Sequence, residues 1–130
     1  MVENKEMVEV HSGKSWEESL EKESWVAPLA DIYETKDDYF LVANMPGSAK
    51  ENIKIKLEEG SLIIMGRINY DEVKNRKYVL KETEFGNYYR KFNLAESIDE
   101  SKIDAEFENG QLVVKLPKHD RVKPKTISIK

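Results

Sequence analysis

From Leu29 to Leu116 the apolar residues fall in short runs, several of them alternating strictly with charged residues. A period of two marks a strand with one face on a core and the other in water. Leu29–Thr35, after Pro28, predicts a first strand. Tyr39–Met45 predicts a second, nearly continuous in apolar character, which stops at Pro46-Gly47. There proline fixes φ and glycine permits a positive φ, the chemistry of a tight turn. Ile53, Ile55 and Leu57 alternate with Lys54 and Lys56, and Glu59-Gly60 then turns the chain into Ser61-Leu62-Ile63-Ile64-Met65. Ile103, Ala105 and Phe107 alternate with acids, Asn109-Gly110 is a strong hairpin signal, and Leu112, Val114 and Leu116 return until Pro117. Seven or so short strands with tight turns and no long helical period predict an all-β sandwich.

Three segments break this rhythm. Between Gly66 and Gly86 the chain is polar through Asn69–Lys77 and holds one short strand-like piece, Tyr78-Val79-Leu80. A loop of that length inside a compact sandwich is usually functional, and its apolar piece must find cover, for which a partner subunit is a reasonable place. Beyond Pro117 runs a Lys-rich stretch, Lys118–Lys125, containing Pro124 and followed by Thr126-Ile127-Ser128-Ile129. Extended, Ile127 and Ile129 point to one side. Residues 1–27 form a third region, an arm with both tryptophans and little periodicity. Within it, Ser15 and Glu18 have the spacing of a capping box, Trp16 and Leu20 share a face, and Glu18 and Lys22 are an i,i+4 pair. A helix of about eight residues is marginal alone, so this arm is expected to fray and to order only on docking. The organisation is thus an arm (1–27), a sandwich domain (28–117) and a C-terminal extension (118–130).

Charge narrows the function. The arm carries seven glutamates against three lysines, which equals the net charge of −4 of the whole 130-residue chain. That balance argues against nucleic acid as a partner, since phosphate affinity needs a basic face. No apolar run approaches the ~20 residues of a membrane span, so no membrane partner is expected. The first residues, Met1-Val2-Glu3-Asn4-Lys5-Glu6, place acids where a secretory signal would be basic and then apolar. Cysteine is absent, which excludes disulfides and thiolate chemistry and fits a cytoplasmic location. Catalysis finds no footing either: His11 and His119 both lie in segments expected to be flexible, and no phosphate loop or nucleophile elbow is present. No enzyme, cofactor or metal site is expected.

Several motifs together carry a resemblance. Pro28-Leu29-Ala30-Asp31-Ile32-Tyr33-Glu34-Thr35, Met45-Pro46-Gly47, Gly86 through Tyr89-Arg90-Lys91-Phe92-Asn93-Leu94, Ala105-Glu106-Phe107-Glu108-Asn109-Gly110-Gln111-Leu112 and Ile127-Ser128-Ile129 resemble the small heat-shock proteins, which carry an α-crystallin domain. Gln111 stands where that pattern often has an apolar residue, a surface change. The resemblance implies an immunoglobulin-like β-sandwich and an ATP-independent holdase that captures partly unfolded proteins and prevents their aggregation. It implies homodimers made by exchange of the loop strand Tyr78-Val79-Leu80, in the bacterial, archaeal and plant style, with Ile32, Tyr33 and Arg90 at the dimer contact. Further assembly would follow from insertion of Ile127 and Ile129 into a groove between Ile53, Ile55 and Leu57 on one strand and Ile103, Ala105 and Phe107 on another.

Each of these assignments has a plainer alternative. Residues 126–129 either dock on another subunit or form an edge strand of their own domain. Burying each isoleucine stabilises by about 1.5–3 kcal/mol, against about 1–2 kcal/mol for each linker residue ordered. One tail is therefore nearly balanced, and assembly rests on many acting together. Arg90 shares the parity of Tyr88, Phe92 and Leu94 and so sits on an apolar side, where it either finds a partner or snorkels to water. Trp16, Leu20 and Trp25 either contact clients or pack within the assembly. A binding sandwich for one defined partner, in the manner of a co-chaperone, is the rival from another class; it requires neither the loop strand nor the tail.

Overall fold

The computed structural model describes residues 15–123 and 125–130. His11, Pro124 and the first part of the arm lie outside the described residues. In chain order the elements are α1 (Trp16–Lys22), β1 (Trp25–Val26), β2 (Ala30–Glu34), β3 (Asp38–Asn44), β4 (Ile53–Glu58), β5 (Ser61–Gly66), α2 (Tyr70–Lys74), β6 (Asn87–Asn93), β7 (Asp104–Glu108) and β8 (Gln111–Pro117). Two four-stranded sheets face each other, ordered β1-β6-β5-β4 and β2-β3-β8-β7. Only β1 runs parallel to its neighbour, with Trp25 opposite Asn87 and Val26 opposite Tyr88; the other named pairs are antiparallel. Between the sheets lie Leu41, Ala43, Met45, Leu62, Ile64, Leu112, Val114 and Leu116, all but fully buried, with Ile98 closing one end.

The turns follow from the residues read above. Gly47 has φ 89° after Pro46, and the Ser48 N–H donates to the Met45 carbonyl at 3.3 Å, which closes a type II turn. Asn109 and Gly110 have φ 53° and 77°, the two positive values a two-residue hairpin needs. Glu59-Gly60 repeats that geometry between β4 and β5. One expected strand is missing: Tyr78-Val79-Leu80 is irregular and pairs with no strand among the described residues. The loop instead builds α2. Asn69 caps it, accepting from the Glu72 N–H at 3.3 Å, and Arg76 pairs with Glu72 at 3.0 Å.

All six residues of β5 are buried, Ile63 and Met65 on its outward side as well as Leu62 and Ile64 on its inward side. A strand with both faces covered reads as a continuous apolar run, as Leu62–Met65 does. On that outer side Trp16 of α1 lies under Lys54 of β4 and against Trp25. Trp25 and Val26, placed in the arm by the sequence, hydrogen-bond as a strand of the sandwich. Gly86 permits this close approach, since a Cβ there would lie 2.7 Å from the Ser24 carbonyl oxygen. Residues 15–26 are ordered where they dock, and the surface they dock on belongs to the same chain.

Candidate functional site

The two sheets leave a cleft where their last strands, β4 and β7, run side by side. Ile53 and Ile55 from β4 and Ala105 and Phe107 from β7 line it, with Leu112 at its floor and Lys50 and Glu106 at its rim; its volume is about 230 Å³. Ala105 lies opposite the fully buried Val114, so its small side chain leaves room that a larger residue would fill. Leu57 and Ile103, expected in the same groove, stand outside the cleft: Leu57 is exposed at the far end of β4, and Ile103 packs on the core.

The two isoleucines of the tail are bare. Ile127 is 86% and Ile129 98% exposed, and residues 125–130 form no strand, so the edge-strand alternative is not seen in this chain. The root of the tail is held, contrary to the solvated stretch expected from Lys118. Lys118 Nζ donates to Glu34 Oε2 at 2.7 Å and to the Thr35 and Lys36 carbonyls, and lies 5.2 Å from the Tyr39 ring centre. His119 Nδ1 is 3.8 Å from Asp99 Oδ2, and a short 3-10 turn, Asp120–Val122, follows. The hydrogen bond from Lys118 holds the exposed Glu34 carboxyl below its ordinary pKa. Bonds from Ser101, and then the nearby His119 and Lys102, do the same for Asp99.

On the opposite side β2 is an open edge. Ile32 and Tyr33 are each about half exposed, and Tyr33 stacks on Phe40 with ring centres 5.1 Å apart. In the long loop Val79 is fully exposed and Leu80 75% exposed, while Tyr78 donates its hydroxyl to the Val73 carbonyl at 3.0 Å. Arg90 is half-buried. It donates to the Pro28 carbonyl at 3.1 Å and lies 4.8 Å from the Phe92 ring centre, so a carbonyl and a ring, rather than open water, receive its charge.

The third group, Trp16, Leu20 and Trp25, gathers on the outer face of the β1-β6-β5-β4 sheet. The capping box of α1 is formed, with Ser15 Oγ accepting from the Glu18 N–H at 3.1 Å and Glu18 accepting from the Ser15 N–H. Trp16 lies 4.3 Å beneath the Arg67 guanidinium and 6.4 Å from Trp25. Trp25 meets Tyr89 edge-on and donates Nε1–H to the Ser19 carbonyl at 2.7 Å. Leu20 remains about half exposed.

Sequence reasoning missed the polar groups that secure this helix. Asn87, fully buried, donates to Glu23 Oε1 at 2.6 Å and accepts the Ile68 N–H at 2.9 Å. Arg67 donates to Ser19 Oγ at 3.4 Å; burial pushes its pKa down, and the nearby Glu23 acts against that. The signal was faint: one asparagine between Gly86 and an apolar strand, and an arginine just after a fully buried one.

Residues 31–130 match the family model described as the Hsp20/alpha crystallin family. A probable 15 kDa heat shock protein of Leptospira interrogans is 36% identical over 110 residues, covering 83% of this chain and 82% of that one. The 18.0 kDa class I heat shock protein of Daucus carota is 35% identical over 120 residues, 91% of this chain and 76% of that one. Among solved structures, a small heat-shock protein from Xylella fastidiosa superposes with a TM-score of 0.67 at 27% identity, covering 82% of this chain and 99% of that one. Heat shock protein 16.0 from Schizosaccharomyces pombe gives 0.63 at 33% identity, covering 81% and 99%.

Proposed function

The chain belongs to the Hsp20/alpha crystallin family, a family of chaperones rather than enzymes, and on that premise we propose that it is an ATP-independent holdase working as an oligomer of strand-exchanged dimers. The observation that carries the reading is the presence of two bare apolar segments and two places fitted to receive them. Among the described residues Tyr78-Val79-Leu80 has no strand partner, and β2 offers an unpaired edge with Ile32 and Tyr33 on it. Exchange between two copies satisfies both, and Arg90 strengthens the contact from beneath the Pro28 carbonyl. Ile127 and Ile129 are likewise bare, and the cleft at Ala105 is apolar and open. An exposed strand edge and exposed apolar side chains are hazards that natural proteins usually cover.

Clients are partly unfolded proteins, whose exposed apolar groups meet Trp16, Leu20 and Trp25 once the N-terminal segment lifts. Large side chains on a movable segment can adapt to irregular surfaces. Neither nucleic acid nor membrane is a partner in this proposal, and the protein works in the cytoplasm. The test is light scattering across temperature, with and without an aggregating model client and with no nucleotide. The expected result is a mass that is a multiple of the dimer and suppression of client scattering without ATP. A monomer that leaves the client unprotected would overturn the proposal and favour a binding sandwich for one defined partner.

A further inference from the structure

The open edge of β2 has a fixed phase. β2 is the last strand of its sheet and pairs on one side only. At the two ends of that pairing the Asn44 N–H donates to the Leu29 carbonyl at 3.0 Å and the Thr35 N–H to the Asp38 carbonyl at 2.8 Å. The odd-numbered residues of 29–35 therefore bond toward β3, and Ala30, Ile32 and Glu34 turn their backbone N–H and C=O groups to the open side. The same pairing fixes the faces. Ala30 and Ile32 lie opposite the buried Ala43 and Leu41 and look toward the core, whereas Asp31 and Tyr33 lie opposite Val42 and Phe40 on the outer side. An added strand must continue both faces. In the exposed loop residues 77–81 the charges share one parity, with Lys77, Val79 and Lys81 on one side and Tyr78 and Leu80 on the other. Tyr78 and Leu80 match the inner side of β2; turned over, the segment would set lysines beside Ala30 and Ile32.

We infer that the loop of a second copy pairs with β2 antiparallel in one register, with Leu80 beside Ile32, Val79 beside Tyr33 and Lys81 beside Asp31, and that the Asp31–Lys81 pair selects this register. Among the described residues neither charge has an ion pair of its own, and Lys81 rests 4.8 Å from the Phe85 ring centre instead. Opposite charges directly across a strand pair attract, and a β-branched residue packs well on an aromatic one. The competing registers each lose something. A slip of two residues one way sets Val79 beside Asp31 and Arg76 beside Glu34, though Arg76 already holds Glu72 and Glu34 already holds Lys118. A slip the other way sets Leu80 beside Glu34. A parallel strand with Val79 on Tyr33 does the same, and brings Lys77 rather than Lys81 to Asp31. The inference rests on the strand-exchange reading and adds to it a direction, a register and the charge that sets them.

The chain has no cysteine, so an introduced pair reports on one contact. Full-length chains carrying Tyr33→Cys are refolded together with chains carrying Val79→Cys and treated with a mild oxidant. In this register the two positions exchange no backbone hydrogen bonds and their Cα atoms lie about 4.5 Å apart, within the span of a disulfide. The mixed disulfide forms about tenfold faster than when Val79→Cys is set against Asp31→Cys or Thr35→Cys, whose Cα atoms lie on the diagonal about 7–8 Å away. Adding Asp31→Lys to the Tyr33→Cys chain slows the reaction about fivefold, since like charges then face each other. Lys81→Glu in the Val79→Cys chain restores the rate, and Lys77→Glu does not. Faster crosslinking to position 31 or 35, or rescue by Lys77→Glu in place of Lys81→Glu, overturns the inference. Light scattering on the wild-type chain separates the two claims. An assembly of dimers that crosslinks in another register, or at none of these positions, sinks the register alone, whereas a monomer sinks strand exchange with it.

Discussion

The two ends of the described chain look alike in sequence and behave differently in structure. Each offers large apolar side chains on a short, charged segment next to the sandwich: Trp16 and Trp25 at one end, Ile127 and Ile129 at the other. The N-terminal segment finds its complement in its own chain, where Arg67, Tyr89 and Asn87 wait on the outer sheet face. The tail finds none among the described residues, and its isoleucines stay bare. The difference lies in polar specificity. Trp25 brings an N–H that reaches a carbonyl, and Glu23 brings a carboxylate that reaches a buried amide, so docking is directional. An isoleucine offers only area, and area alone does not choose between its own chain and a neighbour.

Changes at either end break or sharpen this contrast. Replacing Ile127 and Ile129 by serine reduces the assembly to dimers, seen as a fall in mass by size-exclusion with light scattering; an unchanged oligomer would refute the role given to the tail. Ala105→Leu fills the receiving cleft while leaving the tail intact, and shifts the same mass distribution in the same direction but only in part. At the other end, Asn87→Ala takes the acceptor from the Ile68 N–H and one donor from the Glu23 carboxylate and lowers unfolding free energy by about 1–3 kcal/mol in denaturant titrations, with little change in assembly. Arg90→Ala removes the bond to Pro28, which joins the N-terminal segment to β2. It weakens the dimer, raising its dissociation constant about tenfold, the worth of a charged hydrogen bond of about 1.5 kcal/mol; an unchanged dissociation constant would exclude Arg90 from the contact.

The smallest effect is at the root of the tail. Glu34 is held below its ordinary pKa chiefly by its hydrogen bond from Lys118. A carboxyl depressed in the folded state binds fewer protons there than in the unfolded chain, so its stabilisation is present above the ordinary carboxylate value and is lost as pH falls through the folded one. Acidification below the ordinary carboxylate range therefore loosens residues 118–123, read as faster amide exchange. Lys118→Met returns the Glu34 titration upward in an NMR experiment, and failure to move it would remove Lys118 as the cause.

How much of this could be read in advance depended on how local the cause was. Alternation placed Ile53, Ile55, Ala105 and Phe107 on inward faces, and Asn109-Gly110 specified its hairpin, because both signals act over a few residues. The loop helix α2 was also local, signalled by Asn69 three residues before Glu72 and by Glu72 four before Arg76, yet the polar character of that stretch hid it. The docking of α1 was not legible, since Ser19 and Arg67 are 48 residues apart and Glu23 and Asn87 are 64 apart. Tyr78-Val79-Leu80 has strand composition without strand structure, because a strand also needs a partner edge and these residues pair with none among the described residues. Lys118 read as one solvated lysine among several; its partners are Glu34, 84 residues away, and backbone carbonyls of the β2–β3 turn, which no side-chain pattern announces.

The clamp at Lys118 also sets a length. With the chain pinned there and again by the turn that ends at Lys123, where Nζ meets Asp120 at 3.1 Å, the tail pivots from a fixed point on the sandwich. Ile127 stands four residues further on, at most about 14 Å of extended chain. The tail is thus a compass leg of fixed radius. In the assembly proposed above, a neighbour is gripped only if its cleft opens within that arc, so the spacing of subunits would be drawn from the pivot outward, whatever the strength of the grip.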